Sequence, residues 1–286
     1  MFYHPKSLRK METPVFKSRE EEIAFVVKNK HILIAEKCMT IKTADAIFTP
    51  SVRTVDINDE TKALNTSNNV SELMQSDKIQ AQVVINTTKI LDSHGDVHLD
   101  GLWKKSLQEN KNLFLLQEHV MSFKNIISDE VKASTKSIPW SDLGFKYDGE
   151  TQALVFDVAI EKDRNPFMFE QYAKGYVKNH SVGMRYIKMS LAVNDANYKA
   201  EKATWDKYIS QVVNIKEAED KGYFWAIQEA KAIEGSAVPI GSNIATPTMS
   251  VEAKDIEPSK DTQNEEPLKN TQENNTNEKK PISIYF

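Results

Sequence analysis

Residues 180–193 read HSVGMRYIKMSLAV, an alternating run rich in apolar residues that predicts a β-strand. Successive side chains of a strand point to opposite faces, so His180 and Ser181 cannot share the hydrogen bond that a serine nucleophile needs with its base. Ser181 instead shares its face with Gly183, whose missing side chain leaves room beside the hydroxyl. Such a serine can be open to a substrate, but this stretch taken alone favours an ordinary strand serine beside a bulge glycine.

A base for Ser181 has to come from elsewhere in the chain, because a serine hydroxyl is a poor nucleophile until its proton is removed. His119 follows the apolar run NLFLLQE, at the end of a predicted buried strand. An imidazole there would lie at the edge of a core, where it can serve either as a base or as a structural group. His119 is therefore the candidate base.

A rival site lies in DSHGDVHLD at residues 92–100, where carboxylates and imidazoles recur at every second position. Such side chains suit zinc or another divalent ion and indicate a metal-dependent hydrolase as an alternative. The glycines at 95 and 101 instead favour a turn whose polar residues cap a following helix. The candidate ligands are Asp92, His94, Asp96 and His98.

Composition narrows the class of protein. With 286 residues, 40% apolar and 27% charged, the chain is typical of a soluble globular protein, and its net charge of −4 gives no reason to expect nucleic acid as a specific partner. No apolar run approaches the roughly 20 residues that span a membrane, and MFYHPKSLRK lacks the apolar core of a signal peptide. Cys38 is the single cysteine, which excludes an internal disulfide.

Three regions differ in pattern. Residues 1–78 form an N-terminal extension and polar linker of unknown role, in which AFVV, HILIA and IFTPSV predict strands. Residues 79–250 are β-rich with interspersed helices and lack a regular βαβ alternation, which favours an α+β fold or a barrel with peripheral helices. Residues 251–286 are polar and have little to bury, so we expect a disordered tail.

Within the middle region, periodicity predicts strands around VVINTT, NLFLLQEH, ALVFDVAI and the run at 180–193, with one or two more in 222–240. Helices are predicted for 100–110, 165–178 and 199–220. Asn165 is a candidate N-cap, with Pro166 at the first helical position.

The order of these segments resembles the prohead serine proteases of tailed phages, which are related in fold to the herpesvirus assemblin proteases. Four landmarks carry the resemblance over residues 79–250: a strand with an Asp- and Gly-rich turn and a short helix at 83–107, a strand ending at His119, a Ser-x-Gly strand at Ser181, and a Glu-x-Ser strand at 232–247. The family implies a partly closed antiparallel β-barrel with peripheral helices.

The resemblance also implies the roles of three residues. Ser181 would be the nucleophile, His119 the general base, and Glu234 the carboxylate that orients the imidazole. Glu229 and Asp157 are alternative carboxylates for the third role, and herpesvirus relatives use a second histidine there. Backbone N–H groups near the nucleophile, or the side chain of Arg185, are candidates for the oxyanion hole.

Members of that family act inside the immature capsid. The expected substrates are scaffold protein, the scaffolding part of the major capsid protein, and the protease itself, so the expected location is the prohead interior in the host cytoplasm. We expect no cofactor and no membrane partner, and a homodimer stays open. The alternative from another class is a non-catalytic capsid-assembly protein that retains the protease fold.

Overall fold

The computed structural model describes residues 14–41, 70–110 and 112–253. Its helices are α1 (Arg19–Lys28), α2 (Lys30–Met39), α3 (Val70–Gln75), α4 (Lys104–Glu109), α5 (Pro166–Ala173), α6 (Lys199–Tyr208) and α7 (Ile215–Lys221). Its strands are β1 (Lys78–Thr87), β2 (Asp96–His98), β3 (Leu115–Gln117), β4 (Ile126–Ser128), β5 (Val131–Pro139), β6 (Glu150–Glu161), β7 (Asn179–Val193), β8 (Tyr223–Val238) and β9 (Thr248–Ala253).

Two sheets form the framework. One is antiparallel with strand order β5-β6-β1-β9. In the other, the long strand β8 pairs with antiparallel β7 along one edge and with the short parallel strands β2 and β3 along the opposite edge, while β4 extends it beyond β3. The α+β class is therefore confirmed.

The prediction of a partly closed antiparallel barrel is wrong. The sheets are separate, and β2 and β3 run parallel to β8. Their apolar faces contribute to one shared core, which contains Val83 and Phe156 from the first sheet and Val182, Met184 and Ile227 from the second. Two sheets that bury their inner faces against each other need no closure to form a core.

The N-terminal segment is helical where strands were expected. AFVV lies in α1 and HILIA in α2. The Ser18 side chain accepts a hydrogen bond from the N–H of Glu21 and caps α1, whose first turn carries three glutamates that favour the positive end of the helix dipole. Ile23 and Val26, three residues apart, then reach the core from one helical face. Packing of that face overrides the β preference of the branched residues.

The strands and helices predicted for the middle region are found with shifted ends, whereas β4, β5 and β9 were not predicted. Asn165 caps α5 by accepting a hydrogen bond from the N–H of Met168, with Pro166 at the first position, as predicted. The helix ends at Ala173, and Gly175 follows in the left-handed region at φ 70°. The single helix expected over 199–220 is two helices, α6 and α7, joined by a short 3-10 turn.

Predictions for the ends of the chain are tested only in part. The expected disordered tail begins with residues 251–253, which belong to β9, and the rest of it lies outside the described residues. The IFTPSV strand and most of the polar linker also lie outside them, apart from α3. Across the described parts of the chain, no helix has both the length and the apolar character needed to cross a membrane.

Candidate active site

The pairing of β7 with β8 brings the predicted nucleophile and carboxylate together. Ser181 lies opposite Ser236, and Gly183 lies opposite Glu234. Val182, between the two β7 residues, packs into the shared core. Because side chains alternate along a strand, Ser181 and Gly183 therefore belong to the face of the sheet that points away from that core.

The β8 residues obey the same alternation. A Cβ built on Gly235 would lie 2.6 Å from the ring of Phe156, so this position faces the core and only glycine fits there. Glu234 and Ser236 flank it and consequently share the outer face with Ser181. Side chains opposite each other in an antiparallel pair have Cβ atoms about 5 Å apart, so these groups are close neighbours.

His119 reaches the same face from the end of β3. Its Nδ1 lies 2.7 Å from Oε1 of Glu234, and both side chains are almost completely buried, at 8% and 3% exposed. An ionised carboxylate only accepts hydrogen bonds, so Nδ1 carries the proton when the imidazole is neutral. In this tautomer Nε2 is the ring nitrogen that carries the lone pair.

Gly183 makes room for the carboxylate of this pair. A Cβ at this position would lie 1.9 Å from Oε1 of Glu234, far inside contact distance. From the sequence, we expected this space to leave Ser181 open to a substrate. In the structure the Glu234 carboxylate fills it, which places the oxygen bonded to His119 beside the strand that carries Ser181.

The backbone around His119 has an unusual conformation. Glu118 and His119 have φ values of 53° and 58°, in the left-handed region that residues other than glycine rarely adopt. The N–H of Glu118 donates to the carbonyl of Ala237, and the N–H of His119 donates to Oγ of Ser236. β8 thus supports the turn that follows β3 and directs the imidazole over the sheet.

His180 lies on the other face, as the alternation predicts. It is completely buried, with Nε2 2.9 Å from the Tyr172 hydroxyl and Nδ1 3.2 Å from the carbonyl oxygen of Thr246. Burial lowers the pKa of His180 to about 4. His180 is a neutral structural group at pH 7, and its side chain points to the opposite face of the sheet from Ser181.

The two alternative carboxylates make contacts elsewhere. Oδ1 of Asp157 accepts a hydrogen bond from Gln82 at 2.6 Å in the other sheet, and Glu229 lies 3.6 Å from the ammonium of Lys105. Glu234 is the one of the three that contacts His119. Arg185, two residues beyond Gly183, is exposed on the outer face.

The rival metal-binding residues come together in part. Ligand atoms of Asp92, His94 and Asp96 lie within 4.8 Å of one another. His98 does not join them, because its Nδ1 lies 2.8 Å from the Asn86 amide nitrogen. The turn at Gly95, with φ 74°, brings Asp92 and His94 beside Asp96, and the N–H groups of His94 and Asp96 both donate to Oδ1 of Asp92.

A lysine from the N-terminal helices already balances this acidic cluster. The ammonium of Lys37, in α2, forms an ion pair with the completely buried Asp96, which also accepts a hydrogen bond from the Tyr186 hydroxyl at 2.7 Å. Burial and the charge of Asp96 raise the pKa of Asp92 to about 8, so a proton and an ammonium together neutralise the two carboxylates.

Two residues of these clusters, Ser236 and Lys37, were not predicted from the sequence. Ser236 was noted only as part of the Glu-x-Ser pattern, although a spacing of two on a strand does put both side chains on one face. No local sequence pattern indicates a role for Lys37, because its partner, Asp96, lies 59 residues away. Searches against known protein families, curated proteins and solved structures found no match to this chain.

Proposed function

We propose that this protein is a serine endopeptidase of the prohead protease type, with Ser181 as nucleophile, His119 as general base and Glu234 as the orienting carboxylate. The contact that carries the proposal is the 2.7 Å approach of His119 Nδ1 to Glu234, on the sheet face that also carries Ser181. A histidine that contacts a buried carboxylate, on a sheet face that also carries a serine, supplies the three groups of an acyl-transfer triad.

In the proposed reaction, Nε2 of His119 takes the proton of the Ser181 hydroxyl as Oγ attacks the scissile carbonyl. The imidazolium then gives this proton to the departing amine, which leaves an ester on Ser181. Water, deprotonated by the same nitrogen, hydrolyses the ester and restores the serine. Glu234 fixes the tautomer and stabilises the transient positive charge of the ring.

The proposed substrates follow from the resemblance to prohead proteases: scaffold protein or the scaffolding segment of a major capsid protein, and this chain itself. The proposed place of action is the prohead interior in the host cytoplasm. The ordered series of landmarks over 79–250 supports this assignment, together with the clustering of their three polar residues in space.

The direct test is expression of the intact chain and of Ser181→Ala with a candidate scaffold or capsid protein, followed by mass spectrometry of the fragments. We expect cleavage by the unaltered chain and none by the variant. His119→Ala should match the serine variant, because members of a triad fail as a unit. Identical fragment patterns from the intact chain and Ser181→Ala would end the protease assignment.

The carboxylate has a matched pair of variants. Glu234→Gln should slow cleavage by a smaller factor than Ser181→Ala, since the imidazole keeps a hydrogen-bonding partner but loses the stabilising charge. Glu229→Gln is the control, because Glu229 contacts a surface lysine. Loss of cleavage in Glu229→Gln with full cleavage by Glu234→Gln would show that the third role is misassigned.

A non-catalytic capsid-assembly protein with this fold is the second candidate, favoured by one observation. Ser181 is only 5% exposed, which limits the access of a substrate. A fluorophosphonate probe that reacts with activated serines distinguishes the two: the protease proposal expects labelling of Ser181 that His119→Ala abolishes, and the assembly proposal expects no labelling and no cleavage.

The metal-dependent alternative predicts stoichiometric metal and sensitivity to chelators. Because Lys37 and a proton already neutralise the Asp92 and Asp96 carboxylates, we expect elemental analysis of the purified protein to find no bound ion. Cleavage should continue in EDTA. Loss of cleavage in EDTA, restored by zinc or manganese, would instead favour the metal-dependent hydrolase.

A further inference from the structure

The hydroxyl of Ser236 connects two members of the proposed triad. Its Oγ–H donates to Oε2 of Glu234 at 2.6 Å, and the same oxygen accepts the backbone N–H of His119 at 3.1 Å. Ser236 is completely buried. A serine hydroxyl has one proton to donate, and Ser236 donates it to Glu234. The lone pairs of the same oxygen are therefore directed toward the N–H of His119.

These contacts fix the orientation of the carboxylate. Oε1 of Glu234 faces His119 Nδ1, and Oε2 faces the Ser236 hydroxyl. With both oxygens engaged, the carboxylate plane cannot rotate without breaking a hydrogen bond in a buried site. The imidazole is thereby confined to the tautomer with the proton on Nδ1, since Oε1 offers no proton of its own.

The same hydroxyl supports the strained turn behind the imidazole. Glu118 and His119 both adopt positive φ, a conformation that persists only where surrounding contacts impose it. Two hydrogen bonds tie this turn to β8, from the N–H of Glu118 to Ala237 and from the N–H of His119 to Ser236. One side chain thus constrains the base through both its backbone and its ring partner.

We infer that Ser236 is a positioning residue for the base. Through Glu234 and the turn at residues 118–119, it determines the tautomer and the orientation of the His119 ring. The inference rests on the proposed protease function for its consequence in catalysis, but its effect on the imidazole can be measured without activity. Ser236 lies directly opposite Ser181, but it is completely buried and its proton is already donated to Glu234. It therefore positions the site and is not a second nucleophile.

Three variants test this role. Ser236→Ala removes the hydroxyl, Ser236→Cys fills similar space with a much weaker donor, and Ser236→Thr restores a hydroxyl. Ser190→Ala, at a β7 serine that bonds Gln228 away from the site, is the control. Urea unfolding of each protein shows whether the variant is folded, and Ser236→Cys serves if Ser236→Ala is not.

The first readout is the ¹⁵N spectrum of the His119 ring at neutral to alkaline pH, assigned by comparison with His119→Gln. We expect one tautomer, protonated on Nδ1, in the unaltered chain, in Ser190→Ala and in Ser236→Thr. In Ser236→Ala and Ser236→Cys we expect a mixture with the Nε2-protonated tautomer. A role confined to general stability would lower the unfolding midpoint and leave the tautomer unchanged, and that result would overturn the inference.

The second readout is the rate at which a fluorophosphonate probe labels Ser181. We expect this rate to fall about 10- to 100-fold in Ser236→Ala and Ser236→Cys and to recover in Ser236→Thr. A normal rate and a single tautomer in folded Ser236→Cys would refute the positioning role while the protease proposal stands. Absent labelling and cleavage in the unaltered chain, with the tautomer still dependent on Ser236, would refute the protease proposal alone.

Discussion

Gly183 shows how one missing side chain determines the geometry of the candidate site. The Glu234 carboxylate occupies the volume where any other residue would carry Cβ, and it is this position that lets Oε1 meet His119. The β7 backbone is extended here, so the demand for glycine comes from space and not from the backbone angle. Gly183 therefore determines where the carboxylate that contacts His119 lies.

We expect Gly183→Ala to cost about 1–3 kcal/mol of unfolding free energy, because the added methyl forces the carboxylate aside. The rate of fluorophosphonate labelling of Ser181 should fall about 100-fold, because the imidazole is no longer held in its orientation. Urea unfolding and labelling kinetics measure the two effects.

The control for this variant is a double-mutant cycle with Glu234→Ala. Removing the carboxylate removes the clash, so Gly183→Ala should cost much less stability in the Glu234→Ala background than alone. Equal costs in both backgrounds would show that the methyl group does not compete with the carboxylate.

At the scale of elements, α2 contributes a buried charge to the sheet beneath it. Lys37 pairs with Asp96, whose side chain is completely inaccessible, whereas Lys30 on the same helix is 30% exposed and pairs with Glu201. The buried carboxylate depends on its lysine, because a charge without a partner in the interior is costly. α2 thus supplies the cation that balances the buried Asp96 carboxylate.

We expect Lys37→Met to lower the unfolding free energy by about 3–5 kcal/mol at pH 7, since it leaves Asp96 without its cation. Lys30→Met, the matched control, should cost less than Lys37→Met, because the Lys30 side chain is 30% exposed and that of Lys37 is 17% exposed. Adding Asp96→Asn to Lys37→Met should recover part of the loss. Equal costs for the two lysine variants in urea unfolding would contradict the role of burial.

For the whole molecule, three of the buried groups with shifted pKa values contribute to the pH dependence of stability in opposite senses. Burial lowers the pKa of His98 and of His180 to about 4, from the 6.5 of an exposed imidazole. Their contribution to stability is complete above pH 6.5 and is lost as pH falls toward 4, because the unfolded chain then binds protons that the folded chain excludes. Asp92 acts in the opposite sense, and its contribution declines as pH rises from 4 to about 8.

We expect His180→Gln to be less stable than the unaltered chain at pH 7, with a gap that narrows by about 3 kcal/mol as pH falls from 6.5 to 4. Glutamine keeps hydrogen-bonding groups near Tyr172 but cannot take up a proton. Urea unfolding at several pH values measures the gap. A gap independent of pH would mean that His180 is not held neutral by the fold.

Patterns of local spacing predicted much of the middle region. The alternation in 180–193, the Asn165-Pro166 cap and the apolar run before His119 each depend on neighbours in sequence, and the strand, helix and strand end lie close to where they were expected. The opposite orientation of His180 and Ser181 follows from the same period of two. Helical packing of AFVV and HILIA was not predictable this way, since their branched residues favour strands until a core is present.

By itself, the sequence determined which residues share a strand face, since side-chain direction follows from the local backbone: Ser181 with Gly183, and Glu234 with Ser236. Only the tertiary structure decided which faces meet. The β7–β8 register places Gly183 opposite Glu234, and the turn after β3 places His119 in contact with that carboxylate. The packing of α2 places Lys37 next to Asp96. Such contacts join residues 50 to 115 positions apart. They depend on how the two sheets and the helices bury a common core, and no local sequence pattern encodes that packing.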